Sequence, residues 1–221
     1  MKQVTAVLLG AGIRGMDSYA PYALEHPDEL KFVAVAEPDA ERREEFRERY
    51  NIAKEYCFET WEEVFERPKF ADSCFICTQD KMHFEPSMKA LEMGYHVLLE
   101  KPMSTEADEC IKMGEASKKY NRAFVICHVL RYTPFFSTMK QLLDEGAIGR
   151  IMSITHNENV GYWHQAHSFV RGHYRNSIGL SPMILAKSCH DMDILLWLAG
   201  KDCTKVASFG SLAHFRSECA P

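Results

Sequence analysis

Gly10-Ala-Gly12-Ile-Arg14-Gly15 constrains this chain more than any other stretch. It follows the apolar run Val4–Leu9 and opens a segment, Arg14–Glu25, with helical apolar spacing. A G-x-G-x-x-G pattern between a buried strand and a helix has a physical meaning. The first glycine allows a tight turn, the second lets the backbone approach a pyrophosphate, and the third lets helix and strand pack closely. Amides at the helix N-terminus then face the phosphates. Gly10, Gly12, Ile13, Arg14 and Gly15 are therefore candidate dinucleotide-binding residues. Glu37 ends the next apolar run, Leu30–Ala36, about 20 residues further on, where a carboxylate can bond the adenosine ribose. A carboxylate there repels a 2′-phosphate, so NAD is favoured over NADP; Arg42 and Arg43 weaken the preference slightly.

The alternation of strand and helix continues to about residue 128. Asp39 is placed to cap a charged helix through Tyr50, and Trp61–Glu66 reads as a short helix. Ser73–Thr78, His96–Leu99 and Ala123–His128 read as strands, Phe84–Met93 and Thr105–Tyr120 as helices. Short turns between them predict an α/β fold, a doubly wound parallel sheet with helices on both faces. After His128 the character changes. Tyr132–Glu145 reads as a helix, and Ser181–Ala199 contains another. Ile151–Val160 and Lys205–Phe215 alternate apolar and polar residues, as half-exposed strands do. Gly161–Leu180 reads as a loop. The expectation is a dinucleotide-binding domain over residues 1–128. Residues 129–221 would be an incomplete α+β domain with an open, mainly antiparallel sheet. Lys205–Phe215 would leave an open edge in it.

Composition narrows the functional classes. The 221 residues are 46% hydrophobic and 26% charged, as in folded globular proteins. A net charge of −5 argues against a nucleic-acid partner. No apolar run approaches the roughly 18–20 residues of a membrane helix, and the glycine motif breaks any signal-peptide pattern. A cytoplasmic protein is expected, with its eight cysteines reduced and acting mostly as small hydrophobes. Cys74 and Cys77 have the spacing of a redox or zinc pair, but on a strand they face opposite ways.

Further candidates lie where ligands bind open α/β sheets, beyond the carboxyl ends of the strands. Thr78 follows one strand and can bond a cofactor; His83 can cap the next helix or reach the cleft. Glu100-Lys101-Pro102 follows another strand on the same side. The stretch Gly161–Arg175 is rich in histidine, aromatic residues and arginine. Tyr162, Trp163 and Tyr174 offer flat ring faces to a ligand, while His164, His167 and Arg171 offer donors; a substrate loop is the preferred reading over aromatic packing between domains. His164-x-x-His167 has no acidic or cysteine ligand nearby, so no metal is expected. On the helix within Ser181–Ala199, Lys187 and His190 share a face, as do His190 and Asp193.

Taken in order, Gly10–Gly15, Thr78…His83, Glu100-Lys101-Pro102, Arg131-Tyr-Thr-Pro134 and His190-Asp-Met-Asp193 resemble the Gfo/Idh/MocA family of NAD(P)-dependent oxidoreductases. The resemblance implies a Rossmann domain joined to a second α/β domain that forms substrate and oligomer contacts. It implies Lys101 as the active-site lysine, His190 as proton acceptor or donor, and Glu100 beside the nicotinamide ribose. Arg131 joins Thr78, His83, Glu100 and Lys101 as a cofactor-side residue, and a cis Lys101–Pro102 bond is expected. The family's usual aspartate one turn before the histidine is Ala186 here, leaving Lys187 or Asp193 to orient His190. The expected activity is hydride transfer between NAD and a hydroxyl carbon of a sugar, cyclitol or related polyol. A histidine, with an ordinary pKa of about 6.5, suits the proton acceptor; a protonated lysine suits a donor and electrostatic clamp. An NAD-dependent glycosidase working by transient oxidation is one alternative. A shortened, non-catalytic nucleotide-binding protein is the other.

Overall fold

The computed structural model describes residues 2–175 and 180–219. Six strands form one parallel sheet in the order β3-β2-β1-β4-β5-β6. They are β1 Val4–Leu9, β2 Leu30–Ala36, β3 Cys57–Phe58, β4 Ser73–Ile76, β5 His96–Leu99 and β6 Phe124–Ile126. β1 pairs on one side with β2 and on the other with β4. The chain direction across the sheet therefore reverses between β1 and β4, where open α/β sheets leave a crevice.

The helices follow from local chemistry. A wide π-type segment, Ile13–Tyr19, leads from the glycine turn into the short α1, Tyr22–Glu25. Helix α2 spans Ala40–Arg49, and the Asp39 side chain accepts the Glu41 and Arg42 amides at its start, as expected of a cap. Helices α3 (Trp61–Phe65), α4 (Phe84–Glu92) and α5 (Ala107–Tyr120) cover one face of the sheet. There Val7, Leu9, Ile76 and Leu99 pack with Leu91 and Met113, all buried. The alternate residues Ala6, Leu8 and Val35 enter a second core with Ala20 and Phe46. The period of two assigns each strand residue to one face. It puts Cys74 in the first core and packs Cys77 against the second, so the pair is split across the sheet.

Beyond β6 the chain forms α6 (Pro134–Asp144), α7 (Tyr162–Gln165) and α8 (Met183–Ala199). Gly200, in the left-handed conformation, ends α8. Arg131 grips Asp193 of α8 with two hydrogen bonds of 2.7 and 2.5 Å. Its guanidinium also lies 5.4 Å from the Trp197 ring. His156 Nε2 lies 2.7 Å from the buried Asp191 on the same helix.

Two expectations fail here. Residues 151–160 and 205–215 form no strands, and the second, antiparallel sheet is absent among the described residues. Strands exist only as paired ladders, and neither stretch pairs with the other or with any described segment. The side chains meant to alternate into a core stay outside, with Val206 83% and Phe209 96% exposed. The predicted loop Gly161–Leu180 instead carries α7 and a second π-type segment, Ala166–Val170; its residues 176–179 lie outside those described. None of the described helices is long and apolar enough to cross a membrane.

Candidate functional site

The crevice begins at the glycine turn. Gly10 has φ +90°, and a Cβ there would sit 2.6 Å from the Cys77 carbonyl oxygen. A Cβ on Gly15 would sit 2.3 Å from the Gly10 carbonyl oxygen. Both glycines are thus demanded by the protein's own packing. Gly12 differs: its backbone is extended, and a Cβ would meet nothing within 4 Å. No atom of the described residues requires glycine there, so the open space is a cradle that suits a closely approaching ligand such as a pyrophosphate. Glu37 is buried below the turn. Its Oε2 accepts the Ala11 amide at 2.8 Å and its Oε1 the Asp39 amide at 3.0 Å. The carboxylate is fixed at the end of β2, with lone pairs left over for a ribose.

Across the switch point, loops from β4, β5 and α8 enclose a cleft of about 540 Å³. Ile13, Arg14, Thr78, Glu100, Lys101, His164, Tyr174 and Lys187 line it, all candidates from the sequence. Glu100 is held on three sides. Tyr19 donates its hydroxyl to Oε1 at 2.5 Å, the Lys101 amide donates to Oε2 at 2.7 Å, and Arg14 Nε lies 3.8 Å away. Burial and the Glu100 carboxylate raise the Tyr19 pKa, keeping that hydroxyl a donor. The Lys101–Pro102 bond is cis, and the Lys101 ammonium donates to the Ala186 carbonyl at 3.3 Å.

His83 sits elsewhere than expected. It is fully buried, with Nδ1 2.8 Å from the Pro102 carbonyl oxygen and Nε2 3.2 Å from that of Thr78. It joins the loops after β4 and β5, and does not line the cleft. Arg131 and Asp193 pair with each other as described, also off the cleft. Trp163, His167 and Arg171 are exposed and do not line it either.

His190 lies behind the cleft wall. Its ring stands edge-on to His128, with centroids 5.8 Å apart. Both rings carry a buried Nδ1 with no hydrogen-bond partner among the described residues. Burial, then the Lys101 charge and His128, lower the His190 pKa; burial chiefly lowers that of His128. A neutral, unpaired imidazole near an ammonium can accept a proton. Lys187 is likewise lowered, by burial first and then by Lys101.

Three residues of this region escaped sequence reasoning. Asp80 is buried in the cleft wall, and its Oδ2 has no hydrogen-bond partner among the described residues. It lies inside the Thr78…His83 motif, so its acidity beside a strand end was a usable signal. Tyr19 and His128 carried none, because only the fold brings them to Glu100 and His190.

The NAD-binding Rossmann domain model of the Gfo/Idh/MocA oxidoreductases matches residues 4–128, and the model of their C-terminal alpha/beta domain matches residues 140–220. scyllo-Inositol 2-dehydrogenase (NAD(+)) of Bacillus subtilis is 28% identical over 219 residues, covering 96% of this chain and 58% of that protein. Levoglucosan dehydrogenase of Pseudarthrobacter phenanthrenivorans is 25% identical over 207 residues, covering 91% and 52%. The solved myo-inositol 2-dehydrogenase of Lactobacillus plantarum has a TM-score of 0.75 at 22% identity, covering 91% of this chain and 57% of that one. The WlbA dehydrogenase of Bordetella pertussis, solved with NADH and UDP-GlcNAcA, has a TM-score of 0.71 at 18% identity, covering 90% and 57%. These structural likenesses establish the fold. The chain spans about half the length of the curated relatives it matches.

Proposed function

This chain belongs to the Gfo/Idh/MocA oxidoreductase family, and on that premise we propose that it takes part in NAD-dependent oxidation or reduction of a sugar, cyclitol or related polyol. The observation that carries the reading is the juxtaposition of the open space at Gly12 with Lys101 and Glu100, across one switch point. Residues 1–128 hold the cofactor and residues 129–221 contribute to the substrate site in this proposal. When bound, the nicotinamide accepts or returns the hydride.

The chain's own residues divide the remaining work. Gly12 and the amides after it seat the phosphates, with Arg14 alongside. Glu37 takes the adenosine ribose, and Glu100, held by Tyr19, takes the nicotinamide ribose. Lys101 donates to the reacting oxygen and stabilises charge as it develops there. His190, its pKa lowered chiefly by burial, is the proposed acceptor of the hydroxyl proton, with Lys101, which lines the cleft, as the group between them. Thr78, His164, Tyr174 and Lys187 border the substrate. A cytoplasmic location fits the eight free cysteines. Assembly with further copies through residues 129–221 is part of the same proposal.

The test is a panel of sugars and cyclitols with NAD, followed at the NADH absorbance band. Reduction of NAD by at least one polyol, lost in Lys101→Met and His190→Ala, is expected. NADH binding without turnover of any panel member, in this chain and in a longer relative-length form, would refute the oxidoreductase reading.

A further inference from the structure

The two ammonium groups of the cleft point to a feature of the substrate. Lys101 comes from the end of β5 and Lys187 from α8, and both line the cleft. Among the described residues neither has a carboxylate within ion-pairing distance, although eleven other lysine or arginine ion pairs form. Among the described residues the Lys101 ammonium's hydrogen-bond partner is a backbone carbonyl, that of Ala186. The Lys187 ammonium lies 5.9 Å from the Phe169 ring, which also lines the cleft. The cleft's own acids are engaged or set back. Glu100 is bound by Tyr19 and the Lys101 amide, and Asp80 is buried beside Tyr174. Glu158 opposes the effect on Lys187 from beyond ion-pairing distance.

Like charges facing one partly desolvated space repel. The groups around it respond: burial first and then Lys101 lower the pKa of Lys187, and burial first and then both lysines lower that of His164 at the rim. An anion placed between the two ammoniums relieves all of these contacts together. Lysine acts here as a point charge, equally suited to carboxylate or phosphate. Tyr174, Ser168 and Phe169 supply a flat face and hydroxyl donors beside the pair. We propose that the preferred substrate is an anionic sugar, whose carboxylate or phosphate sits between Lys101 and Lys187 while a neighbouring hydroxyl carbon faces the cofactor. This rests on the dinucleotide-dependent reading above and deepens it.

The experiment uses the full 221-residue chain loaded with NADH, whose fluorescence reports cofactor binding independently. Glucuronate, glucose 6-phosphate and glucose are then titrated by calorimetry at low and at high salt. At least one of the two anionic sugars is expected to bind tenfold or more tightly than glucose, with the gap narrowing in high salt. The comparison of the two identifies the anionic group. Lys187→Met should remove the preference and Lys187→Arg should keep most of it. Lys201→Met, which removes the same charge from an exposed site, should leave it intact. NADH binding with equal affinity for glucose and both anions, or with no sugar binding, overturns the inference and leaves the dinucleotide reading standing. Displacement of NADH by the anions also overturns it, since the lysines would then serve the cofactor phosphates. Failure of NADH to bind overturns both readings.

Discussion

Alanine at Gly12 should separate folding from ligand binding. The Gly12 backbone, at φ −79° and ψ −175°, is extended and open to any residue. The added methyl meets no protein atom within 4 Å. Gly12→Ala therefore restricts only the unfolded chain, and stability should rise by about 0.4–1 kcal/mol. The same methyl occupies the space a pyrophosphate needs. Losing one hydrogen bond to a charged group costs about 1.5–3 kcal/mol, which weakens NADH roughly 10- to 100-fold. Gly15→Ala provides the contrast. Its methyl would lie 2.3 Å from the Gly10 carbonyl oxygen, an overpacking that costs about 1–3 kcal/mol or more. Urea unfolding monitored by circular dichroism reads the first quantity, and NADH fluorescence titration the second. The reasoning fails if Gly12→Ala binds NADH like the parent protein, or if its urea midpoint falls.

Other perturbations follow from the same site. Among the described residues, Tyr19→Phe leaves a nearly buried Glu100 oxygen with only the more distant Arg14, and should cost about 1–3 kcal/mol in urea unfolding. Asp193→Asn weakens the bidentate pair with the partly exposed Arg131, and a loss of about 1 kcal/mol is expected in the same assay. His128 and His190 both titrate below the ordinary histidine value. The unfolded chain then binds more protons than the folded one in the window just below about pH 6.5. Stability should be full above that pH and fall as pH drops toward the lower folded values. Urea midpoints across this range should show the fall, and the double variant His128→Gln/His190→Gln should flatten it.

The Rossmann half was legible because its signals are local. Gly10 and Gly15 sit where positive φ and close packing demand them, Asp39 caps α2, and His96–Leu99 is a strand with the predicted bounds. Lys101 and Lys187 were found through their placement on a strand end and a helix face. The second half was less legible because alternation is only half of a strand. Residues 151–160 carry the pattern, yet pairing partners decide whether it becomes a ladder. His83 was misplaced for a related reason. A histidine near a cleft can face in or out, and only the positions of the Thr78 and Pro102 carbonyls settle that it bridges two loops. The Gly161–Arg175 run supplied His164 and Tyr174 to the cleft but left Trp163 outside, since composition does not tell which side of a short helix turns inward.

The two carboxylates of α8 have a mechanical consequence. Asp191 and Asp193 are two positions apart, which places them about 200° apart around the helix axis. One is hooked by His156 and the other by Arg131. Anchors on nearly opposite sides of a cylinder resist torque in either sense while leaving small axial sliding cheaper. The azimuth of Lys187 and His190 is thereby set by residues that never enter the cleft. Cutting either hook would remove one of the two side-chain restraints on that azimuth while altering no residue of the cleft.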